Sequence, residues 1–225
     1  MTMVTIEQKI PVYIVNRNRL TTTKALVEWL RQTGTQSIRI LDNASDYHPL
    51  LEWYGTLRDV TVCLLPNEGP MAFWFRKLHL QQTLPYVLTD SDCVPSDCCP
   101  SDLIGHLLLL LLQFPNCGKV GAGLRTGNIP DTATRKAEVL EWEKQWTQHR
   151  ASGEAFYAKV DTTFALYPAY GKFTIDDGNL RTAWPYLVDH LPWHNDERCL
   201  TDEERYYWQH KDYDLTGWNI KRPEE

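Results

Sequence analysis

A chain of 225 residues suits one domain, or one domain with a small appendage. Its composition, 43% hydrophobic and 23% charged, excludes a disordered, collagen-like or coiled-coil chain. Lys and Arg number 23 against 29 Asp and Glu, a net charge of −6 that argues against a non-specific nucleic-acid binder, which is normally basic.

Residues 1–9 carry no apolar stretch of the signal-peptide kind. The longest apolar run, Leu107 to Leu112, reaches only about half of the ~20 residues a spanning helix needs, even with Leu103 and Ile104. A cytoplasmic protein without a transmembrane segment is expected, and the sequon Asn43-Ala44-Ser45 then has no meaning. The six cysteines are Cys63, Cys93, Cys98, Cys99, Cys117 and Cys199. They form no Cys-x-x-Cys, and adjacent Cys98 and Cys99 suit no disulfide framework, so reduced thiols are expected.

The first half alternates strand-like and helix-like segments. Val12 to Val15 is a β-branched run, and Thr21 to Arg31 follows with helical spacing of Ala25, Leu26, Trp29 and Leu30. Ile38 to Leu41 predicts a second strand, His48 to Tyr54 a short helix, and Val60 to Leu65 a third strand. Ala72 to Gln81 predicts a helix, Tyr86 to Leu88 a fourth strand, and Pro100 to Phe114 a buried helix. The second half is less regular. Lys119 to Leu124 reads as a strand, Thr134 to His149 as a helix with Val139, Trp142 and Trp146 on one face, and Phe156 to Tyr167 as a strand. Charge runs at Asp196 to Arg198 and Asp202 to Arg205 read as solvated faces.

Strands alternating with helices imply βαβ units and a mainly parallel sheet, in which ligands bind at the carboxyl ends of the strands. The polar strings sit at those ends: Asn16-Arg17-Asn18-Arg19, Asp42-Asn43, Asn67-Glu68 and Asp90-Ser91-Asp92. In an extended Asp90-Ser91-Asp92, the two carboxylates point to one side and can share a hard divalent cation. Such an ion can neutralise charge on a departing diphosphate. The plain alternative is a turn with two solvated aspartates. Asp161 stands between the apolar flanks Val160 and Phe164, where desolvation would suit a general base. A sugar-hydroxyl contact and a structural hydrogen bond are equally open for it. Asp176 and Asp177, before Gly178, read as a turn and are runners-up as base.

The stretches PVYIVNRNRL (Pro11 to Leu20), IRILDNAS (Ile38 to Ser45), LPNEGP (Leu65 to Pro70) and PYVLTDSD (Pro85 to Asp92) resemble nucleotide-sugar glycosyltransferases of the GT-A fold. Together with KVDTTFALY (Lys159 to Tyr167) and HLPWHND (His190 to Asp196), they are similar to small bacterial and phage glycosyltransferases of the family 2 type. The resemblance implies a single α/β/α sandwich with a mostly parallel central sheet. Residues 1–125 would be its nucleotide-sugar half and 126–225 its acceptor half. It implies that Asn16, Arg17, Asp42, Asn67, Arg76, Asp90 and Ser91 serve the donor, a UDP- or GDP-sugar. Arg76 and Lys77 are equally readable as helix-surface charges. The resemblance also implies that Asp90 and Asp92, completed by His190, hold Mn²⁺ or Mg²⁺; an imidazole favours manganese. His194 competes with His190 for this role, and Trp193 either stacks on a sugar or packs.

The sequence lacks Gln-x-x-Arg-Trp, so the stereochemical outcome stays open. A glycan is the default acceptor. The rival readings are a phage-type glycosyltransferase acting on a modified DNA base, to which Arg17, Arg19, Arg31 and Arg39 would contribute charge, and a non-catalytic nucleotide-sugar-binding protein. No GxSxG elbow, P-loop or dinucleotide fingerprint is present, and the Gly-rich basic loop of a nucleotidyltransferase is missing.

Overall fold

The protein is described by a computed structural model over residues 5–161, 163–175 and 178–211. Its frame is set by four short apolar strands. Strand β1 (Val12–Asn16) pairs in parallel with β2 (Ile38–Asn43) on one side and β4 (Tyr86–Asp90) on the other, and β3 (Val60–Leu65) extends the sheet beyond β2. The period-2 alternation of a strand divides β1 between two cores. Val12 and Ile14 join a cluster with Leu26, Val27 and Leu30 of helix α1 (Thr21–Gln32) and Leu103, Leu107 and Leu110 of α4 (Leu103–Gln113). Tyr13 and Val15 face the other way, onto Phe73, Trp74, Tyr86 and Tyr167. Helices on both faces are why the parallel strands read as unbroken apolar runs.

The sheet continues through the second half of the chain, in the order β3-β2-β1-β4-β9-β6-β10-β8. Strands β9 (Ala165–Tyr167) and β8 (Ala155–Tyr157) run against the others; β6 (Val120–Gly121) and β10 (Leu180–Thr182) run with them. A second sheet of three strands, β5 (Cys93–Pro95), β11 (Leu187–His190) and β7 (Gly123–Leu124), carries the chain away from β4 and back. The mixed α/β architecture with a mostly parallel central sheet is therefore present. Helix α2 (His48–Thr56) lies after β2, and α6 (Asp202–His210) closes the described chain. All six cysteines are free thiols. No helix among the described residues is long and apolar enough to cross a membrane.

Four of the expected elements are broken. The helix expected over Ala72 to Gln81 stops as α3 (Ala72–Phe75), because Lys77 takes a left-handed backbone (φ 53°) and a separate 3-10 turn follows at Leu78–Gln81. The single strand expected over Lys119 to Leu124 divides between the two sheets as β6 and β7. It crosses at Gly123, where a Cβ would lie 2.3 Å from the Thr182 carbonyl oxygen. The strand expected over Phe156 to Tyr167 is β8 and β9, joined by a connection that carries Asp161. The helix expected over Thr134 to His149 is α5 (Lys136–Glu143) and a 3-10 turn at Lys144–Thr147.

Candidate active site

A cleft of about 1210 Å³ opens at the carboxyl ends of β1 to β4. Its floor is made by the strand-end strings, and its far wall by α5, the Leu191–His194 turn and α6.

From β1 come Asn16 and Arg17. The Asn16 amide donates to the Arg19 carbonyl (3.1 Å) and accepts nothing at its buried Oδ1; its Nδ2 also meets the Tyr54 hydroxyl at 2.7 Å. Arg17 donates to the carbonyls of Asn43 (2.6 Å), Ala44 (3.2 Å) and His210 (3.3 Å), so one guanidinium ties the β1, β2 and α6 ends together at the cleft edge. Asn67 lines the cleft and accepts from the Gly69 amide at 3.3 Å.

Two expected donor residues are placed elsewhere. The Asp42 carboxylate, 1% exposed, is consumed internally. It accepts from the Ser45 amide (2.9 Å), the Ser45 hydroxyl (2.6 Å) and the Tyr54 hydroxyl (2.9 Å), and it does not line the cleft; its neighbour Asn43 does. Burial, then the Asp42 charge, hold the Tyr54 phenol protonated, well above its ordinary range. Arg76 lies outside the cleft lining and pairs with Glu68 at 2.9 Å, which is the helix-surface reading.

Asp90 closes β4, and Ser91 and Asp92 turn into β5, all three lining the cleft. Antiparallel pairing sets His190 of β11 opposite Cys93 of β5. The result puts His190 Nε2 at 3.9 Å from Asp92 Oδ1, and the ligand atoms of Asp92, Cys93 and His190 within 4.8 Å of one another. Asp92 and His190, two of the three expected ligands, are in this group, and Asp90 lines the same cleft two residues before Asp92. The residues suit a divalent cation. Burial lowers the His190 pKa, opposed by Asp92, so its ring is neutral and free to ligate, and its buried Nδ1 has no hydrogen-bond partner. Carboxylate oxygen with imidazole nitrogen is a donor set for Mn²⁺ more than for Mg²⁺. The Cys93 thiol is fully buried and held protonated by that burial, which sets it behind the site as a neutral neighbour. His194 is outside the group, and Trp193 packs with Ile129, Ala133 and Val139 while its ring centre sits 4.8 Å from that of His190.

Asp161 also lines the cleft, but on the β8–β9 connection and exposed, so the desolvation expected of it is missing. Its carbonyl accepts from the buried ammonium of Lys119 at 3.1 Å, which also donates to the Tyr167 hydroxyl at 2.9 Å. Asp176 and Asp177 lie outside the described residues.

Three contributors escaped sequence reasoning. Arg19, expected only as part of a basic cluster, is 5% exposed and set between Asp92 and Glu204. Arg31 pairs instead with Asp59 at 2.6 Å and Arg39 lies against the Tyr13 ring, so the four arginines make no single patch. Arg181 and Glu143 form a buried ion pair at 2.9 Å in the far wall, where Arg181 also donates to the Lys159 carbonyl at 2.7 Å. Burial pushes the Arg181 pKa down and the Glu143 pKa up, each opposed by the partner's charge. Finally α6, expected as a solvated charge run, brings Tyr207 and Trp208 to the cleft. Only its Thr201-x-x-Glu204 capping pattern signals a helix there, and Thr201 Oγ1 accepts from the Glu204 amide at 3.2 Å.

Comparison of the sequence with protein families and with curated proteins finds no match. Among solved structures, the chain is similar to glucosyl-3-phosphoglycerate synthase from Mycobacterium tuberculosis in complex with phosphoglyceric acid. That likeness is at 17% identity and a TM-score of 0.42, over 72% of this chain and 57% of that one. The same enzyme in complex with Mn²⁺ and uridine-diphosphate-glucose gives 18% identity and 0.41, over 72% and 56%. A structure described as a mycobacterial protein gives 15% and 0.44, over 81% and 65%. The chain thus spans less than two thirds of the length of the solved structures it matches.

Proposed function

We propose that this chain is a GT-A glycosyltransferase that moves a sugar from a nucleoside-diphosphate sugar, a UDP- or GDP-sugar, to an acceptor hydroxyl, by preference on a glycan. The observation that carries this reading is the Asp92–His190 pair, 3.9 Å apart beside Asp90, at the carboxyl end of β4 inside the large cleft. A cleft of about 1210 Å³ exceeds the roughly 300–1,000 Å³ that holds one small ligand, and so has room for donor and acceptor together.

Asp92 and His190, with Asp90 at hand, would hold the cation, which when bound offsets the charge gathering on the leaving diphosphate. Asn16, through its open Oδ1, and Arg17 and Asn67 are assigned to the nucleoside end, and Ser91, between Asp90 and Asp92, to the donor as well. In the transfer the anomeric C–O bond to the diphosphate breaks and a bond to the acceptor oxygen forms. The acceptor proton goes to the carboxylate of Asp161, assigned as the base. The dispersal of Arg19, Arg31 and Arg39 gives the DNA-acceptor reading no support.

The test is a thermal-shift panel of nucleoside diphosphates and nucleotide sugars, with and without Mn²⁺. Ligand at ~100 Kd adds about 2.7 kcal/mol of stability. A manganese-dependent shift confined to one nucleoside supports the assignment and names the base, and an acceptor screen on that donor follows. A shift without turnover on any acceptor favours the binding protein, and no shift at all overturns the donor site.

A further inference from the structure

We propose that Glu204 is a positioning residue for the metal-binding carboxylate: by sharing the Arg19 guanidinium it leaves the charge of Asp92 available to a divalent cation. The inference rests on the metal reading above. Arg19 Nε lies 3.5 Å from Asp92 Oδ2, and Arg19 Nη1 donates to Glu204 Oε1. The guanidinium carbon lies 3.8 Å over the Tyr207 ring, and Lys211 is close enough to feel the charges of both Arg19 and Glu204. The side chains of Arg19, Asp92 and Glu204 are 6%, 16% and 13% exposed, so water screens these charges weakly.

The trio carries one positive and two negative charges. With Glu204 present, Arg19 is shared and the group is net negative. With Glu204 neutral, Arg19 belongs to Asp92 alone, and a cation meets a satisfied carboxylate. With Arg19 neutral, the group gains negative charge and attracts a cation more strongly. The neighbouring Glu203 fastens α6 independently of Glu204. Its carboxylate accepts from the Leu20 and Thr21 amides at 2.9 and 3.0 Å and from the Thr21 hydroxyl at 2.7 Å, capping α1. The second oxygen of Glu204 is buried without a hydrogen-bond partner, a cost that a helix fastener would not need. Linkage makes the effect reciprocal. A cation on Asp92 leaves Arg19 to Glu204, which tightens α6, and with it Tyr207 and Trp208, against the cleft.

The experiment is a Mn²⁺ titration of the full chain, read by loss of the free-ion EPR signal, with and without uridine diphosphate, alongside melting temperatures. E204Q is expected to weaken Mn²⁺ binding about tenfold, within the ~5–150-fold span of ordinary site couplings. R19Q is expected to tighten it, and R19Q/E204Q to return near wild type. E203Q is expected to lower the melting temperature and leave Mn²⁺ affinity unchanged. Equal losses in E204Q and E203Q, or a loss in R19Q matching that in E204Q, overturn the proposal. If E204Q does not fold, the sign at R19Q decides: tighter binding supports the proposal and weaker binding overturns it. A wild-type chain that binds no Mn²⁺ overturns the metal reading as well.

Discussion

His190 Nε2 faces Asp92 Oδ1 across 3.9 Å because two three- to four-residue strands, β11 and β5, pair His190 with Cys93, one residue beyond Asp92. A cation drawn to the carboxylate therefore finds an imidazole nitrogen already in place. Replacing His190 by Ala is expected to weaken Mn²⁺ binding by at least tenfold, since even the outer partners of metal ligands are worth roughly 10–100-fold. Asp92→Asn is expected to weaken it further, because the charge goes as well as the ligand. Titration with Mn²⁺ checks both, and an unchanged affinity in either variant removes the site.

In the opposite wall, Arg181 and Glu143 are paired with both side chains about nine-tenths buried. Arg181→Met strands the Glu143 carboxylate, and Glu143→Leu strands the guanidinium. Each single change is expected to cost about 3–5 kcal/mol, the usual penalty for breaking a buried pair. The double variant, which strands neither charge, is expected to recover most of that loss. Denaturant unfolding of the four proteins measures the coupling, and additive losses would show that the two side chains act independently.

The legible part of this fold is the part where the sequence repeats a local rule. β1 to β4 are apolar runs followed by polar strings, and the structure puts those strings, with Asn16, Arg17, Asn67, Asp90 and Asp92, on one cleft. Beyond residue 115 the strands shrink to two to four residues, and β6 finds its partners in β9 and β10, some forty to sixty residues away in sequence. A run that short carries no register of its own, which is why one expected strand divided between two sheets. Which acid faces the cleft was equally hidden. Asp42 stands one residue before the end of β2 and Asp90 ends β4, but Ser45 and Tyr54 consume the first. Arg19 finds its partner Glu204 185 positions on, beyond the reach of any local pattern.

Asp42 carries a stability prediction. Its carboxylate takes three hydrogen bonds at 2.6–2.9 Å and holds the turn after β2 against α2. Asp42→Ala leaves the Tyr54 hydroxyl and the Ser45 groups without that partner, and is expected to destabilise the fold by about 2–3 kcal/mol, the scale of hydrogen bonds to a charged group. Nucleotide binding, measured at a temperature where the variant is folded, is expected to stay near wild type. A large loss of affinity with little loss of stability would return Asp42 to the donor site.

His106 on α4 gives the fold a pH dependence. Its ring, 7% exposed, stacks on Tyr186 with centroids 3.7 Å apart, and its Nε2 is buried without a partner. Burial lowers its pKa, with Glu154 and Asp102 pulling weakly the other way. The unfolded chain therefore takes up a proton first, as pH falls below about 6.5. Over that window the unfolded state binds more protons than the folded one, so stability falls with pH, and the loss levels off below the lowered folded value. His79, His190 and His194 are lowered by burial too and act with the same sign. His106→Phe keeps a ring on Tyr186 and removes one of these titrations. The melting temperature of the variant is expected to fall less than that of wild type between pH 7 and pH 5. Equal slopes in the two proteins would mean that His106 keeps its ordinary proton affinity in the fold, and that its stacking on Tyr186 does not exclude the charged ring.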